Sequence, residues 1–414
     1  MMKNGMRLGA GLSITLALAG VTSAGCGDDA GSGGEGGATS SSTTASGGSP
    51  GAGGSDGGMG AGGAGTGGTG GAAGDGCLAD SEHDTVFAIA LEDLCLRAKY
   101  TAPFTVGSYT PPSWGRHGGP VTLVQAYAGP SPDDEITLTR WGVPTEATGE
   151  LTTVEVVGPL ATGASAGDPF FAGVAVDLPD TLLTLVGWAD GSLSGKLVAL
   201  DGSVVADSWD IAGYYWAAAH SDGTTARLLI SALSAPLDGA VGSAGLYAGD
   251  WDASTPTDPS PTTVHTWGLA NGPVALDGAG NAFAVMTDYL SGNQSLRGFA
   301  AASVAPGAIG ATGTELWDIP GFGSSLAAVH LASDGGWVFY QPQTFVTEVE
   351  SGDVMGQRYG DGGGAVSPIG GLVPALTFVE ANTEVTLMSD PTDRLWVGVA
   401  GENGSTFYVL GAPD

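Results

Sequence analysis

Val274-Ala-Leu-Asp-Gly-Ala-Gly-Asn-Ala-Phe-Ala284 is the stretch on which the fold turns. Apolar residues flank a polar centre, Asp277-Gly-Ala-Gly-Asn281. Asp and Asn hydrogen-bond their own backbone and Gly supplies positive φ, so the centre predicts a tight turn. Two apolar strands meeting at such a turn form a hairpin.

Outward from this hairpin, the same texture runs from Cys77 to Asp414. Short apolar or alternating runs recur, each bounded by Gly, Pro, Asp or Asn. Before it lie Val121–Tyr127, Glu135–Trp141, Ala172–Asp177 and Thr181–Trp188; within and after it lie Ala282–Met286, Gly336–Tyr340, Glu384–Met388, Leu395–Val399 and Thr406–Leu410. These are strand lengths with turn chemistry between them, and no long run has helical period with a cap. The fold class predicted is all-β.

Polar turns repeat along the chain at Asp177–Asp180, Ser221–Gly223, Asp277–Asn281, Ser333–Gly335 and Asp390–Asp393, with successive spacings of 44, 56, 56 and 57 residues. An earlier turn at Gly129–Asp134 extends the series back by about 45, and six such turns fit a β-propeller of six four-stranded blades. Radial repetition also solves the problem of open sheet edges in a long all-β domain. The quoted hairpin resembles the inner hairpin of bacterial β-propeller repeats, in which an apolar strand meets an Asp-Gly-x-Gly-Asn turn. Trp-Asp pairs at Trp209-Asp210, Trp251-Asp252 and Trp317-Asp318 resemble the propeller dipeptide loosely, without its Gly-His partner. A β-sandwich pair is the alternative architecture. In a propeller, Asp84-Thr-Val-Phe-Ala-Ile-Ala-Leu91 and Thr406–Leu410 are expected to share one blade and close the ring.

The N-terminal residues carry an address. Lys3 and Arg7 precede the apolar run Leu8–Gly20, and small residues follow to Cys26, the layout of a secretory signal peptide over residues 1–25. Ala24-Gly25-Cys26, with Leu18 and Val21 upstream, resembles a bacterial lipoprotein signal, departing from it at Ser23 where leucine is usual. That resemblance implies acylation of Cys26 and a place in the cell envelope, anchored to a bacterial membrane or cell surface. Residues 27–76 hold 23 glycines and no Val, Ile, Leu or aromatic residue. Such a composition predicts a disordered tether with an r.m.s. span of roughly 40 Å. Residues 26–76 are therefore expected to be lipidated Cys and linker, and 77–414 the propeller-like domain.

With Cys26 consumed by lipid, Cys77 and Cys95 are left to pair in an oxidising compartment; the alternative is two free, buried thiols. Lys and Arg number 11 against 43 Asp and Glu, a formal charge of −32. A surface this acidic repels nucleic acid and suits solubility or cations.

Sparse motifs bear on chemistry. Gly163-Ala-Ser-Ala-Gly167 satisfies the G-x-S-x-G pattern, but Asp168-Pro169 and another strand follow where a nucleophile elbow needs a helix. None of the five histidines has a metal-pair spacing with another. A propeller axis could gather His220, His265 and His330 into a central pocket. Asp133, Asp134, Glu135 and the Asp277/Asn281 turn are the candidates for Ca²⁺, although none lies in an Asp-x-Asp-x-Asp-Gly loop. Tyr214-Tyr215-Trp216 is the densest aromatic cluster that could stack on a sugar. Two functions follow: a secreted, lipid-anchored binding module for a glycan or protein, or an extracellular hydrolase or lyase using the central pocket.

Overall fold

The computed structural model describes residues 76–79 and 82–414, apart from 107–112, 117–120, 129–134, 162–168, 178–180, 189–191, 200–203, 213–214, 222–224, 233–244, 253–261, 266–268, 288–293, 305–312, 320–322, 332–334, 343–352, 381–382, 384 and 391. Cys26 and nearly all of the residues expected to be signal and linker lie outside these residues.

The described chain is almost entirely strand, arranged in six antiparallel four-stranded sheets, two of which gain an extra edge strand. Blade 1 contains β3 (Ser113–Arg116), β4 (Val121–Ala128), β5 (Glu135–Gly142) and β7 (Thr152–Ala161). Blade 2 contains β8 (Pro169–Asp177), β9 (Thr181–Trp188), β10 (Ser192–Ala199) and β11 (Val204–Ala212). Blade 3 runs β12 (Tyr215–Ser221), β13 (Thr225–Ala232), β14 (Gly245–Asp252) and β15 (Thr262–His265). Blade 4 runs β16 (Leu269–Leu276), β17 (Ala282–Thr287), β18 (Gln294–Phe299) and β19 (Thr314–Ile319). Blade 5 runs β20 (Gly323–Leu331), β21 (Gly335–Pro342), β22 (Val354–Gly360) and β23 (Ser367–Phe378), with β1 (Phe87–Ile89) added outside β23. Blade 6 combines β24 (Val385–Ser389), β25 (Leu395–Gly401) and β26 (Gly404–Gly411) with β2 (Cys95–Ala102), beyond which β6 (Thr148–Glu150) lies parallel.

Successive first strands β3, β8, β12, β16, β20 and β24 touch in turn, and Phe104, just after β2, packs its ring 4.9 Å from Trp141 of blade 1 and 5.9 Å from Phe407 of blade 6, joining the sixth sheet to the first. The molecule is a six-bladed β-propeller.

Its apolar core is divided into layers between neighbouring sheets. Leu229 and Leu246 of blade 3 meet Val274 and Met286 of blade 4. Phe283 and Leu296 of blade 4 meet Tyr340 and Tyr359 of blade 5, and Phe339 and Leu376 of blade 5 meet Leu387 and Tyr408 of blade 6. Strands that face a layer on both sides need apolar residues on both faces, which explains runs with no clean alternation, such as Ala282-Phe-Ala-Val-Met286, where all five are buried. Side chains of the preceding blade also satisfy the inner edge of β24. Leu387 N donates to Ser325 Oγ at 2.7 Å and Val385 N to Gln341 Oε1 at 3.0 Å.

Ring closure uses a strand from each end of this region, but the N-terminal partner is not the expected Asp84–Leu91. That segment supplies β1, which pairs Phe87 with Phe378 in blade 5. The closing strand is β2, antiparallel to β26 from Cys95↔Gly411 to Ala102↔Ser405. Leu96, Ala98, Tyr100 and Ala102 are buried, with Arg97, Lys99 and Thr101 between them. This alternation is the signature of a half-buried strand, and the charged residues hide it in a search for apolar runs. Cys77 and Cys95 form a disulfide with Cα atoms 5.8 Å apart, pinning the segment before β1 to the start of β2.

Five of the six expected turns join the first and second strands of blades 2 to 6. Gly129–Asp134 instead lies between β4 and β5, the second and third strands of blade 1, so the repeat there is shifted by one strand. The corresponding link in blade 1 is 117–120, whose His-Gly-Gly-Pro sequence lacks the Asp on which the repeat was recognised.

Candidate functional site

At the end of the propeller where first strands turn into second strands, blades 4, 5 and 6 bring a polar network together. Its anchor is Asp277, wholly buried at the head of the quoted turn. Asn281 N donates to Asp277 Oδ1 at 2.7 Å, Asn281 Nδ2 to Oδ2 at 2.8 Å, and Tyr359 OH to Oδ2 at 2.5 Å. Gly280 adopts φ +82°, the left-handed geometry this turn requires. Burial pushes the Asp277 carboxyl above the usual aspartate range, and the bonds from Tyr359 and Asn281 and the nearby His330 pull against that rise. Burial and the neighbouring Asp277 push the Tyr359 hydroxyl strongly upward, so it stays a proton donor.

Blade 6 repeats the turn with different chemistry. Asp390 Oδ1 accepts from Thr392 N at 2.7 Å and Arg394 N at 3.2 Å, while Oδ2 accepts from Trp396 Nε1 at 2.9 Å. Asp393 has the only non-glycine positive φ among the described residues, +58°. Its Oδ1 accepts from Gly278 N of blade 4 at 2.8 Å and His330 N of blade 5 at 3.0 Å, so one side chain ties three blades. His330 Nε2 lies 2.9 Å from Asp361 Oδ2. Arg227 Nη1 of blade 3 donates to Gly280 O at 2.9 Å.

Beside this network an open cleft of about 340 Å³ crosses from β20 to the end of blade 6. Arg97, His330, Thr392, Asp393, Arg394 and Asp414 supply its polar lining. Arg97 Nη2 donates to Asp414 Oδ1 at 2.6 Å and Nη1 to Ala412 O at 3.0 Å.

The three histidines expected at the axis have different stations. His220 and His330 lie on β12 and β20, the first strands of blades 3 and 5. His265 ends β15, the fourth strand of blade 3, about 14 Å from β12 at ordinary strand spacing, so the topology does not gather all three. No group of three or more His, Cys, Asp or Glu side chains suited to a metal occurs among the described residues. Asp277, one Ca²⁺ candidate, has both oxygens taken by its own turn and Tyr359. Asp133 and Asp134 lie outside the described residues, as do Ser165 and Tyr214; Glu135, Tyr215 and Trp216 are placed on β5 and β12. The Trp-Asp pairs occupy unlike positions, on the fourth strands of blades 2 and 4 and the third of blade 3. They do not mark one repeated site.

Sequence reading missed Arg97, Tyr359 and Arg394. Arg394 follows a recognised turn directly, whereas Tyr359 reaches Asp277 across 82 positions, a separation no local pattern reveals.

No family model and no curated protein matches the chain. Similar solved structures include the Aleuria aurantia lectin, a fungal lectin with a six-bladed β-propeller fold and a fucose recognition mode. It is 11% identical, covers 78% of this chain and 96% of its own, and has a TM-score of 0.39. Kuenenia stuttgartiensis hydrazine synthase is 17% identical, with 71% of this chain and 75% of its own covered, at a TM-score of 0.37. At these scores neither lends this chain a ligand or a reaction, and the propeller assignment rests on the six sheets themselves.

Proposed function

We propose that the chain is a secreted surface protein, lipid-anchored through Cys26 in a bacterial cell envelope, whose propeller is a binding module for a glycan or protein. Residues 1–25 are the signal, 26–76 the lipidated cysteine and linker, and 77–414 the module. The anchor is supported by Ala24-Gly25-Cys26 behind an apolar run. The binding role is carried by one observation, the open cleft lined by Arg97, His330 and Arg394 on a strongly acidic chain. In cell fractionation, Cys26→Ser should move the protein from the membrane to the soluble fraction; a mutant that still sediments with membranes contradicts the anchor. The full chain immobilised against glycan and envelope-protein arrays should retain a defined ligand, and retention of none contradicts the module.

A further inference from the structure

We infer that the cleft beside β20 and the end of blade 6 binds a small organic carboxylate, a ligand class that deepens the binding-module reading and rests on it. Arg97 lies on the closing strand and Arg394 at the start of the second strand of blade 6, far apart in sequence. Both nevertheless converge on Gly411: a methyl group there would sit 3.3 Å from Arg97 Cγ and 3.5 Å from Arg394 Cγ. Both side chains line the same cleft, so two positive charges share a space that an anion would balance. Their chain has only 11 basic residues, so the placement is not a consequence of composition.

The cleft also shows what it accepts. Asp414, whose side chain is 68% exposed, already lays a carboxylate on Arg97, which is only 12% exposed. Asp393 directs Oδ1 at the backbone N–H groups of Gly278 and His330. His330 Nε2 is engaged by Asp361. Arg394 is exposed, and its backbone N–H is held by Asp390, while its guanidinium makes no hydrogen bond or ion pair among the described residues. It therefore offers a free fork beside an occupied one. A planar fork of N–H donors fits a carboxylate through two parallel bonds, which a lysine cannot reproduce. At about 340 Å³ the space suits a monosaccharide-sized acid. Asp414 is then an internal competitor, displaced when the ligand's carboxylate takes both forks.

The test is a ligand-observed NMR titration of the full chain with D-glucuronate, and with D-glucose as the neutral counterpart, at low salt. Glucuronate should bind and glucose should not. Arg394→Ala should weaken glucuronate binding about tenfold or more, with Arg394→Lys in between, and Asp414→Asn should strengthen it. An unchanged thermal unfolding profile for Arg394→Ala, expected of an exposed side chain, separates lost recognition from lost fold. Binding that Arg394→Ala leaves intact overturns the cleft assignment while leaving the binding module standing. Glucuronate ignored by wild type and Asp414→Asn alike overturns the carboxylate class. An array that retains no ligand, run in parallel, overturns the underlying module reading instead.

Discussion

Tyr359 and Asp277 show how the propeller manages a polar group inside its core. A buried carboxylate is tolerated only when its lone pairs are met, and Asp277 meets them with Asn281 and Tyr359. Tyr359→Phe removes one donor and leaves the carboxyl in place, so it should destabilise the protein by about 1–3 kcal/mol. Thermal unfolding checks this, and an unchanged midpoint contradicts it. The same site sets a pH dependence. Burial raises the folded-state pKa of Asp277 above its ordinary 3.8, so the folded chain holds that proton more tightly than the unfolded one. The contribution to stability is greatest below 3.8 and is lost as pH rises through the raised value. In paired melts across this range, the wild type should lose ground steadily to Asp277→Asn as pH climbs. A gap independent of pH would show that Asp277 does not titrate differently in the two states.

Elements carry the closure of the ring. β26 pairs with β25 on one side and β2 on the other, so deleting Ser405–Asp414 bares two edges in one step. The truncated chain should melt well below the full chain and aggregate, and an unchanged melt without aggregation would refute the closure. The Cys77–Cys95 bridge spans 18 residues and should stabilise the fold by roughly 3 kcal/mol. Reductant should therefore lower the melting midpoint; two thiols reacting with a maleimide in the untreated native protein would contradict the bond. At this scale the sequence was legible where turn chemistry is local. Asp277–Asn281 and Asp390–Asp393 announce their hairpins because Asp and Asn act on their own backbone. The choice of β2 over Asp84–Leu91 was not legible, because strand partners are selected by packing across the whole ring. Arg97 was obscured likewise, and although Arg394 follows a recognised turn, its meeting with Arg97 at Gly411 across the strands of blade 6 is a tertiary contact that no local pattern reveals.

Across the whole molecule, charge works against compactness. A formal −32 repels itself, and the repulsion is screened as the Debye length falls from about 30 Å at 0.01 M salt to about 8 Å at 0.15 M. The melting midpoint should rise over that interval, and a midpoint that falls or stays fixed would show that the acidic groups are already locally balanced. Six sheets close into a ring because the N-terminal β2 enters the C-terminal blade. A crystal structure of the full chain tests it most directly. It should show six four-stranded sheets about one axis, with β2 hydrogen-bonded to β26 from Cys95↔Gly411 to Ala102↔Ser405. Two face-packed sheets, or a β26 whose outer edge is not paired with β2, would contradict it.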